Sequence, residues 1–386
     1  MLLTLLFSSV AVLFLGMTVA CLFHLRWAHR LPGLSESGFP TVPGNTDPIQ
    51  CSIVLAARNE EGRVEGTVRR LLNQQGVRIE VIVVDDRSTD GTGEILRRLA
   101  VDDGRVKIQT INALPEGWLG KCHACHMGAG LAKGSWILFT DADCWLKPDT
   151  IARALEMAHR EGVQHITLTP GVVPATLAGQ AWHLAFHLSV ANWMSGVNRD
   201  RPGAHLGIGA FNLVRAEAYR ESGGYEALRL TVVDDIKLGL LLRRAGKKTR
   251  AFIGGDDTEC HWGRTVRDAI KIMEKNYFAA IDYRTGVVLS LVLVSLLLWG
   301  LVLAGLLHGS AAGLAAGLAP LSIILPAQVV ARRLGWSTGG VMLTPFIYPV
   351  LIYAVANSAI VTLRQGGVRW RDTFYSLEQL RAGNVR

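Results

Sequence analysis

The sequence is short of charge. Asp, Glu, Lys and Arg make up 19% of its 386 residues and hydrophobic residues 49%, with a mean hydropathy of +0.27. That is too apolar for a disordered chain and too apolar for an ordinary cytosolic enzyme. Cysteine is scarce, with six residues, which excludes a disulfide-stapled scaffold. The 41 glycines have no three-residue period, which excludes collagen, and no longer repeat is present. Nothing reads as a nucleic-acid module. The net charge of +8 therefore points to an anionic membrane surface rather than to nucleic acid.

Charge is absent altogether from four long runs. The first, Met1 to Phe23, can cross a bilayer at ~20 residues. It lacks the basic start and small-residue cleavage site of a signal peptide, although Val19-Ala20-Cys21 faintly resembles a lipoprotein site, and it reads as an uncleaved anchor over 1–24. Arg26 and Arg30 place the following side in the cytoplasm, with Trp27 at the interface. The other runs are 286–307, 311–331 and 341–363, and Arg332-Arg333 marks a cytoplasmic loop. Three full crossings would leave Arg364, Arg369, Arg371, Arg381 and Arg386 outside, against the positive-inside rule. The expectation is that one segment is re-entrant or non-spanning, with Pro345 and Pro349 marking a break. The remaining divisions are a linker over 25–49, a catalytic domain over 50–260, an interfacial segment over 261–284, membrane segments over 285–364 and a basic tail over 365–386. The expected location is the inner (plasma) membrane, multi-pass, with the catalytic domain in the cytoplasm.

Between the runs, short β-rich segments alternate with amphipathic helices. Strands are expected at 51–56, 79–84, 106–110, 136–140 and 165–169, and helices at 61–75, 92–100, 121–132 and 149–160. This alternation predicts an α/β, Rossmann-like domain with a mostly parallel sheet. Ligands bind outside the carboxyl ends of such strands. Polar clusters stand just there: Ala57-Arg58-Asn59-Glu60-Glu61, Asp85-Asp86-Arg87-Ser88 and Asp141-Ala142-Asp143.

Asp141 and Asp143 are two apart on an extended segment, so both carboxylates face one way. They repel unless a cation joins them, and Mg2+ or Mn2+ takes one or two carboxylates plus phosphate oxygens. The bland reading is a solvated turn capping the next helix. Asp85 and Asp86 could likewise be caps, but Ser88 or Asp90 suffices, which frees Asp86 for a nucleobase. Gly117-Trp118-Leu119-Gly120-Lys121 opens a helix, an anion-binding arrangement in which Lys121 could neutralise a diphosphate; alone, Lys121 could equally be solvated. Cys122-His123-Ala124-Cys125-His126 matches the C-x-x-C-H haem pattern, but the expected cytoplasmic setting favours packed thiols. Asp234-Asp235 opens a further helix. One acid would serve as a cap, and the second could take a proton from an acceptor hydroxyl.

In this order the motifs Ala57-Arg58-Asn59-Glu60, Val84-Asp85-Asp86-Arg87-Ser88, Gly120-Lys121, Thr140-Asp141-Ala142-Asp143 and Val233-Asp234-Asp235 resemble the family 2 glycosyltransferases with a GT-A fold. The likeness runs from Cys51 to about Tyr283 and is greatest to the membrane-bound, non-processive bacterial branch, with its hopene-associated and carotenoid-acid members and, more distantly, ceramide glucosyltransferases. The resemblance implies an inverting single displacement from a nucleotide-diphosphate sugar, uridine being the favoured base. It implies that Asp86 binds the base, Lys121 the sugar diphosphate, Asp141 the ribose or sugar and Asp143 the metal, with Asp235 as catalytic base. The Q/R-x-x-R-W motif of processive synthases is absent; the run from Gln365 to Trp370 is one residue too long. His261, Trp262 and Lys275 are the candidates to close over the donor instead.

Two further stretches point to the acceptor. Arg264–Ile281 has Val266, Ile270, Met273 and Tyr277 at helical spacing with Arg267, Lys271 and Lys275 elsewhere on the wheel, as in a helix lying in the bilayer interface; a helix packed on the protein would look alike. The stretch 181–194, with Trp182 and Trp193, suits the headgroup layer. The expected acceptor is a membrane lipid or isoprenoid. The alternatives are a polyprenyl-phosphate sugar synthase and a non-catalytic nucleotide-sugar-binding subunit of an envelope-assembly complex.

Overall fold

The computed structural model describes residues 1–34 and 50–385; most of the expected linker lies outside the described residues. The chain divides into two compact units.

One unit comprises His29–Val173 and Gly196–His261 together with the last residues of the chain. Its strands are β1 (Cys51–Ala57), β2 (Ile79–Asp86), β3 (Val106–Ile111), β4 (Trp136–Asp141), β5 (Cys144–Leu146), β6 (His165–Thr169), β7 (Gly171–Val172), β8 (Asn212–Arg215), β9 (Thr249–Ile253) and β10 (Thr258–Cys260). Seven form one sheet in the order β3-β2-β1-β4-β8-β6-β9. β8 alone runs antiparallel to its neighbours, β4 and β6. β1 and β2 are buried along nearly their whole length, the burial expected of a parallel sheet covered on both faces. One face packs Ile53, Leu55, Val81 and Val83 against Val64, Val68, Leu71, Leu96 and Leu99 of helices Val64–Leu72 and Thr92–Asp102. The other packs Ile82 and Val84 against Ala124 of helix Gly120–Leu131. A second, small sheet has the order β5-β10-β7.

Every strand and helix expected between 51 and 169 is present, with ends shifted by at most about three residues. Register brings the strand-end clusters side by side: Ala57 pairs with Asp85 and Ala56 with Asp141.

The other unit comprises Met1–Ala28, Pro174–Ser195 and Trp262–Arg381. Among the described residues, four helices are long and apolar enough to cross a membrane: Leu2–Leu25, Thr285–His308, Ala311–Leu334 and Val341–Gln365. Phe7 and Val10 of the first pack on Val302 and Ala316, and Arg333 donates to the carbonyl of Leu25 at 2.6 Å and to that of Ala28. The helical break falls elsewhere than expected. Helix Thr344–Gln365 runs unbroken with Pro349 inside it, whereas a 3-10 turn, Ala319–Ile323, interrupts the preceding segment at Pro320.

The interfacial expectations need correction. Trp182 is 1% exposed, and it packs with Ala185, Ala269, Met273, Ile347 and Ala354. The apolar face of helix Val266–Met273 is thus spent on neighbouring helices and not left for lipid. Arg267, Lys271 and Trp193 remain exposed. The tail begins with an antiparallel hairpin, Gly367–Trp370 with Thr373–Ser376.

Candidate active site

The loops after β1 and β2 are sewn together. The Asn59 carboxamide oxygen accepts the Thr89 amide at 2.8 Å, the Asn59 amide donates to Ser88 Oγ at 3.1 Å, and the Glu60 amide donates to Thr92 Oγ1 at 2.8 Å. Asn59 and Arg87 have positive φ, 54° and 57°, an unusual conformation for residues with side chains; these bonds hold Asn59, and the Arg87 amide donates to the Ile111 carbonyl at 3.1 Å. Asp86 is buried, and Arg87 grips both its oxygens, at 2.7 and 2.9 Å. Gly120 leaves room for this pair: a Cβ would lie 2.5 Å from Asp86 Oδ2 and 2.8 Å from the Arg87 guanidinium and would push the pair aside.

Helix Gly120–Leu131 points Lys121 at the acids. Its Nζ lies 2.7 Å from Asp141 Oδ1 and 3.9 Å from Asp234 Oδ2. Burial works against its charge, but Asp141 and Asp234 outweigh it and hold the ammonium well above the usual lysine range. Asp234 is buried and accepts the Tyr225 hydroxyl at 3.0 Å. Asp235 turns the other way: its Oδ2 accepts the Gly209 amide at 2.7 Å and its Oδ1 the Ile236 amide at 2.8 Å. Burial, then the neighbouring Asp234, pushes its carboxyl up to about 6, against the pull of Lys121.

Asp141, Asp143 and Cys144 place ligand atoms within 4.8 Å of one another. Burial, followed by the charges of Asp141 and Glu60, raises the Asp143 carboxyl to about 6. Lys121 on Asp141 and Arg63 near Asp143 offset only part of this crowding, and the acids remain short of positive charge. An oxygen-seeking divalent ion supplies it, so the residues present fit Mg2+ or Mn2+.

The expected residues thus converge in part. Lys121, Asp141, Asp234 and Asp235 meet at one point, with Asp143 beside Asp141. Asn59 and Glu60, continuing from Ala57 and Arg58, form the sewn loop. His261 donates its amide to the Asp143 carbonyl at 3.3 Å, and its ring stacks 4.1 Å from that of Trp145. Trp262 and Lys275 belong to the other unit, where the Lys275 ammonium sits 3.5 Å from the Trp370 ring centroid. Cys122 and Cys125 are buried in the helix, and the Cys122 thiol donates to the Thr231 carbonyl at 3.5 Å; they are packing thiols.

Sequence reasoning overlooked Gly209. A Cβ there would lie 2.9 Å from Asp141 Oδ2, 3.4 Å from Lys121 Nζ and 3.5 Å from Asp235 Oδ2, so its Cα marks the centre of the cluster. The available signal was Gly207-Ile208-Gly209, a G-x-G placed just before β8. Tyr225, the partner of Asp234, was overlooked too.

Residues 52–223 match the model of Glycosyl transferase family 2. A 4,4'-diaponeurosporenoate glycosyltransferase of Staphylococcus aureus (strain bovine RF122 / ET3-1) is 26% identical over 239 residues, 60% of each chain. Its counterpart from strain USA300 is 26% identical over 192 residues, 49% of this chain and 50% of the relative. The chain therefore matches only half to three-fifths of the length of these relatives. In fold it is similar to a mannosyltransferase from Pyrobaculum calidifontis solved in complex with GDP-Man and Mn2+, with a TM-score of 0.54, 15% identity and coverage of 93% of this chain and 99% of that one. With its mostly parallel sheet, the chain has a GT-A-like fold, and residues 52–223 are similar to a glycosyl transferase family 2 domain.

Proposed function

We propose that the chain is a membrane-bound glycosyltransferase that moves a sugar from a nucleotide-diphosphate sugar to a membrane lipid or isoprenoid, with inversion and one sugar per acceptor. The observation that carries this reading is the meeting of Lys121, Asp141 and Asp235 around the bare Cα of Gly209. It sets a cation, a metal-binding edge and a base around one small space.

The roles divide by environment. Asp235 has both oxygens fixed by backbone amides, and a carboxyl near 6 is ionised at neutral pH yet basic enough to take the acceptor's proton. Asp234, buried against Tyr225 and Lys121, holds the lysine in place. Lys121 presents its charge to the diphosphate. Asp141 and Asp143 would hold Mg2+ or Mn2+, which when bound offsets the charge growing on the leaving nucleoside diphosphate. Arg87 orients Asp86 toward the base.

The lipid acceptor is supported by the four apolar helices and by relatives named for 4,4'-diaponeurosporenoate. The lack of Q/R-x-x-R-W supports a single transfer. Arg364, Arg369, Arg371 and Arg381 behind the last apolar run favour a last segment that does not span.

The test uses membranes containing wild type or Asp235→Asn, labelled UDP- and GDP-sugars and Mn2+. Label should enter the organic phase with wild type, and EDTA or the substitution should abolish it. Equal labelling by Asp235→Asn would remove the base and favour transfer to a polyprenyl phosphate, which needs none. Nucleotide-sugar binding without any transfer would favour the non-catalytic subunit.

A further inference from the structure

Behind the carboxylate pair lies a pair of thiols that the transfer reaction does not use. β5 and β10 are antiparallel, and Cys144 and Cys260 are direct cross-strand partners. Their sulfurs are 2.8 Å apart, and the residues are 1% and 0% exposed. The Cys144 sulfur also lies 3.7 Å from Asp143 Oδ1 and within 4.8 Å of the ligand oxygens of both Asp141 and Asp143.

We propose that Cys144, Cys260 and Asp143, with Asp141 at the rim, form a thiolate-containing site for a soft divalent cation such as Zn2+ or Co2+, overlapping the Mg2+ or Mn2+ position. The inference shares Asp141 and Asp143 with the reading above and adds the thiols to it. Hard ions take the oxygens and ignore sulfur, whereas Zn2+ and Co2+ bind thiolate readily. A tetrahedral ion with bonds of ~2.0–2.3 Å keeps its ligands roughly 3.3–3.8 Å apart. The S–S separation of 2.8 Å and the Cys144–Asp143 separation of 3.7 Å lie within about an ångström of that spacing, and rotation of the Cys260 side chain brings its sulfur toward the ion while the strand pairing stays fixed.

The step is coordination and not redox. The ion enters as M2+, each thiol gives up its proton to solvent, and two metal–sulfur bonds form. An ion with its positions filled by two sulfurs and two carboxylates has none left for a diphosphate. Zn2+ is thus a competitive inhibitor of the Mn2+-loaded site, and cysteine makes the transferase sensitive to soft-metal stress.

The full chain, purified in detergent under argon, is titrated with Co2+. A sulfur-to-cobalt charge-transfer band and release of two protons per Co2+ are expected, with Zn2+ abolishing the band. Cys144→Ala and Cys260→Ala should each remove the band and weaken Zn2+ binding by ~100-fold or more, the upper range for losing even an outer-shell partner. Mn2+ binding, read from the loss of the free-ion EPR signal, should persist in Cys260→Ala, which also reports an intact fold. Mn2+ binding by wild type without a cobalt–thiolate band overturns the inference and leaves the carboxylate site standing. Failure of both ions to bind overturns both. Thiol titration showing Cys144 and Cys260 joined in a disulfide also overturns the inference.

Discussion

The amide of Gly209 donates to Asp235 Oδ2 across 2.7 Å, tying the loop before β8 to the start of helix Asp234–Arg244. The chain reaches this distance because Gly207 also lacks a side chain: a Cβ there would stand 2.0 Å from the Asp235 carbonyl oxygen. Two glycines therefore let a loop press against a helix N-terminus and keep the space over the Gly209 Cα, bounded by Asp141, Lys121 and Asp235, free of a side chain.

Gly209→Ala tests that space. The new methyl would intrude to 2.9 Å from Asp141 Oδ2, where the reacting groups meet. Transfer should fall by ~100-fold, the cost of displacing reacting groups by about 1 Å. Melting temperature should change little, because the neighbouring atoms are side-chain ends facing a crevice. Loss of folded protein in parallel with activity would count against the site.

A pH-dependent stability follows from Asp143. Its carboxyl is raised to about 6 in the fold, against ~3.9 unfolded. The sign is therefore the reverse of an ordinary salt-bridged acid: its contribution is fully present below pH ~4 and is lost as pH rises through about 6. Without metal, Asp143→Asn should melt above wild type at pH 8, by roughly 2–4 °C for each kcal/mol regained, and level with it at pH 4. Adding Mn2+ at pH 8 should reverse the order, since only wild type gains from binding. Thermal scans with EDTA and with Mn2+ at the two pH values decide it.

Much of this arrangement was legible in the sequence, for a local reason. Each parallel strand is a buried run ended by a polar cluster, so Ala57, Asp85 and Asp141 announce both the strand ends and the crevice, and the register joins them. β8 was not legible. It has four residues, and its partners β4 and β6 precede it by dozens of residues, so tertiary pairing and not local pattern defines it. The same holds for β5, β7 and β10, each two or three residues long. Trp182 misled because an aromatic residue near a membrane segment looks alike whether it meets headgroups or, as here, Ala269 and Ile347.

Lys121 and Asp234 should prove interdependent. Lys121→Met leaves the buried Asp234 without its nearby cation, and removal of one partner from a buried pair costs ~3–5 kcal/mol. Lys121 keeps partial access to solvent, 23% of its side chain, so the lower end applies. The double variant Lys121→Met/Asp234→Asn should recover part of the lost melting temperature, because the buried one of the two carboxylates that lose Lys121 is neutralised, while Asp141 is more exposed and keeps water. It should recover no transfer, since the diphosphate still lacks its ammonium. Stability that stays low in the double variant would argue that Tyr225, and not Lys121, is what Asp234 needs.

Residues remote from the chemistry set the position of the base. Ile208 N–H can only donate, so the Asn212 atom it meets at 3.3 Å is the carboxamide oxygen. That oxygen also faces His165 Nε2 at 2.9 Å, which fixes the proton on Nε2 and leaves Nδ1 to accept from Thr249 Oγ1 at 3.1 Å. Burial keeps His165 neutral, with its pKa lowered to about 4, so the bond holds across the working pH range. The chain Thr249–His165–Asn212 thus fixes the amide next to Gly209, and through Gly209 it sets the direction of the Asp235 carboxylate. His165→Leu should lose ~1 kcal/mol with its hydrogen bond to the Asn212 oxygen, which keeps only the Ile208 amide, and lower kcat by ~10–100-fold through misplacement of the base, with donor KM unchanged. His165→Gln keeps an N–H near the Nε2 position and should restore kcat to within about threefold of wild type, a few tenths of a kcal/mol in the barrier. Hydrogen exchange at residues 207–210 separates orientation from general damage: protection there should fall in His165→Leu and return in His165→Gln, while β1 and β2 stay protected in both. If both variants lose protection across the whole sheet, His165 supports the core and does not aim the base.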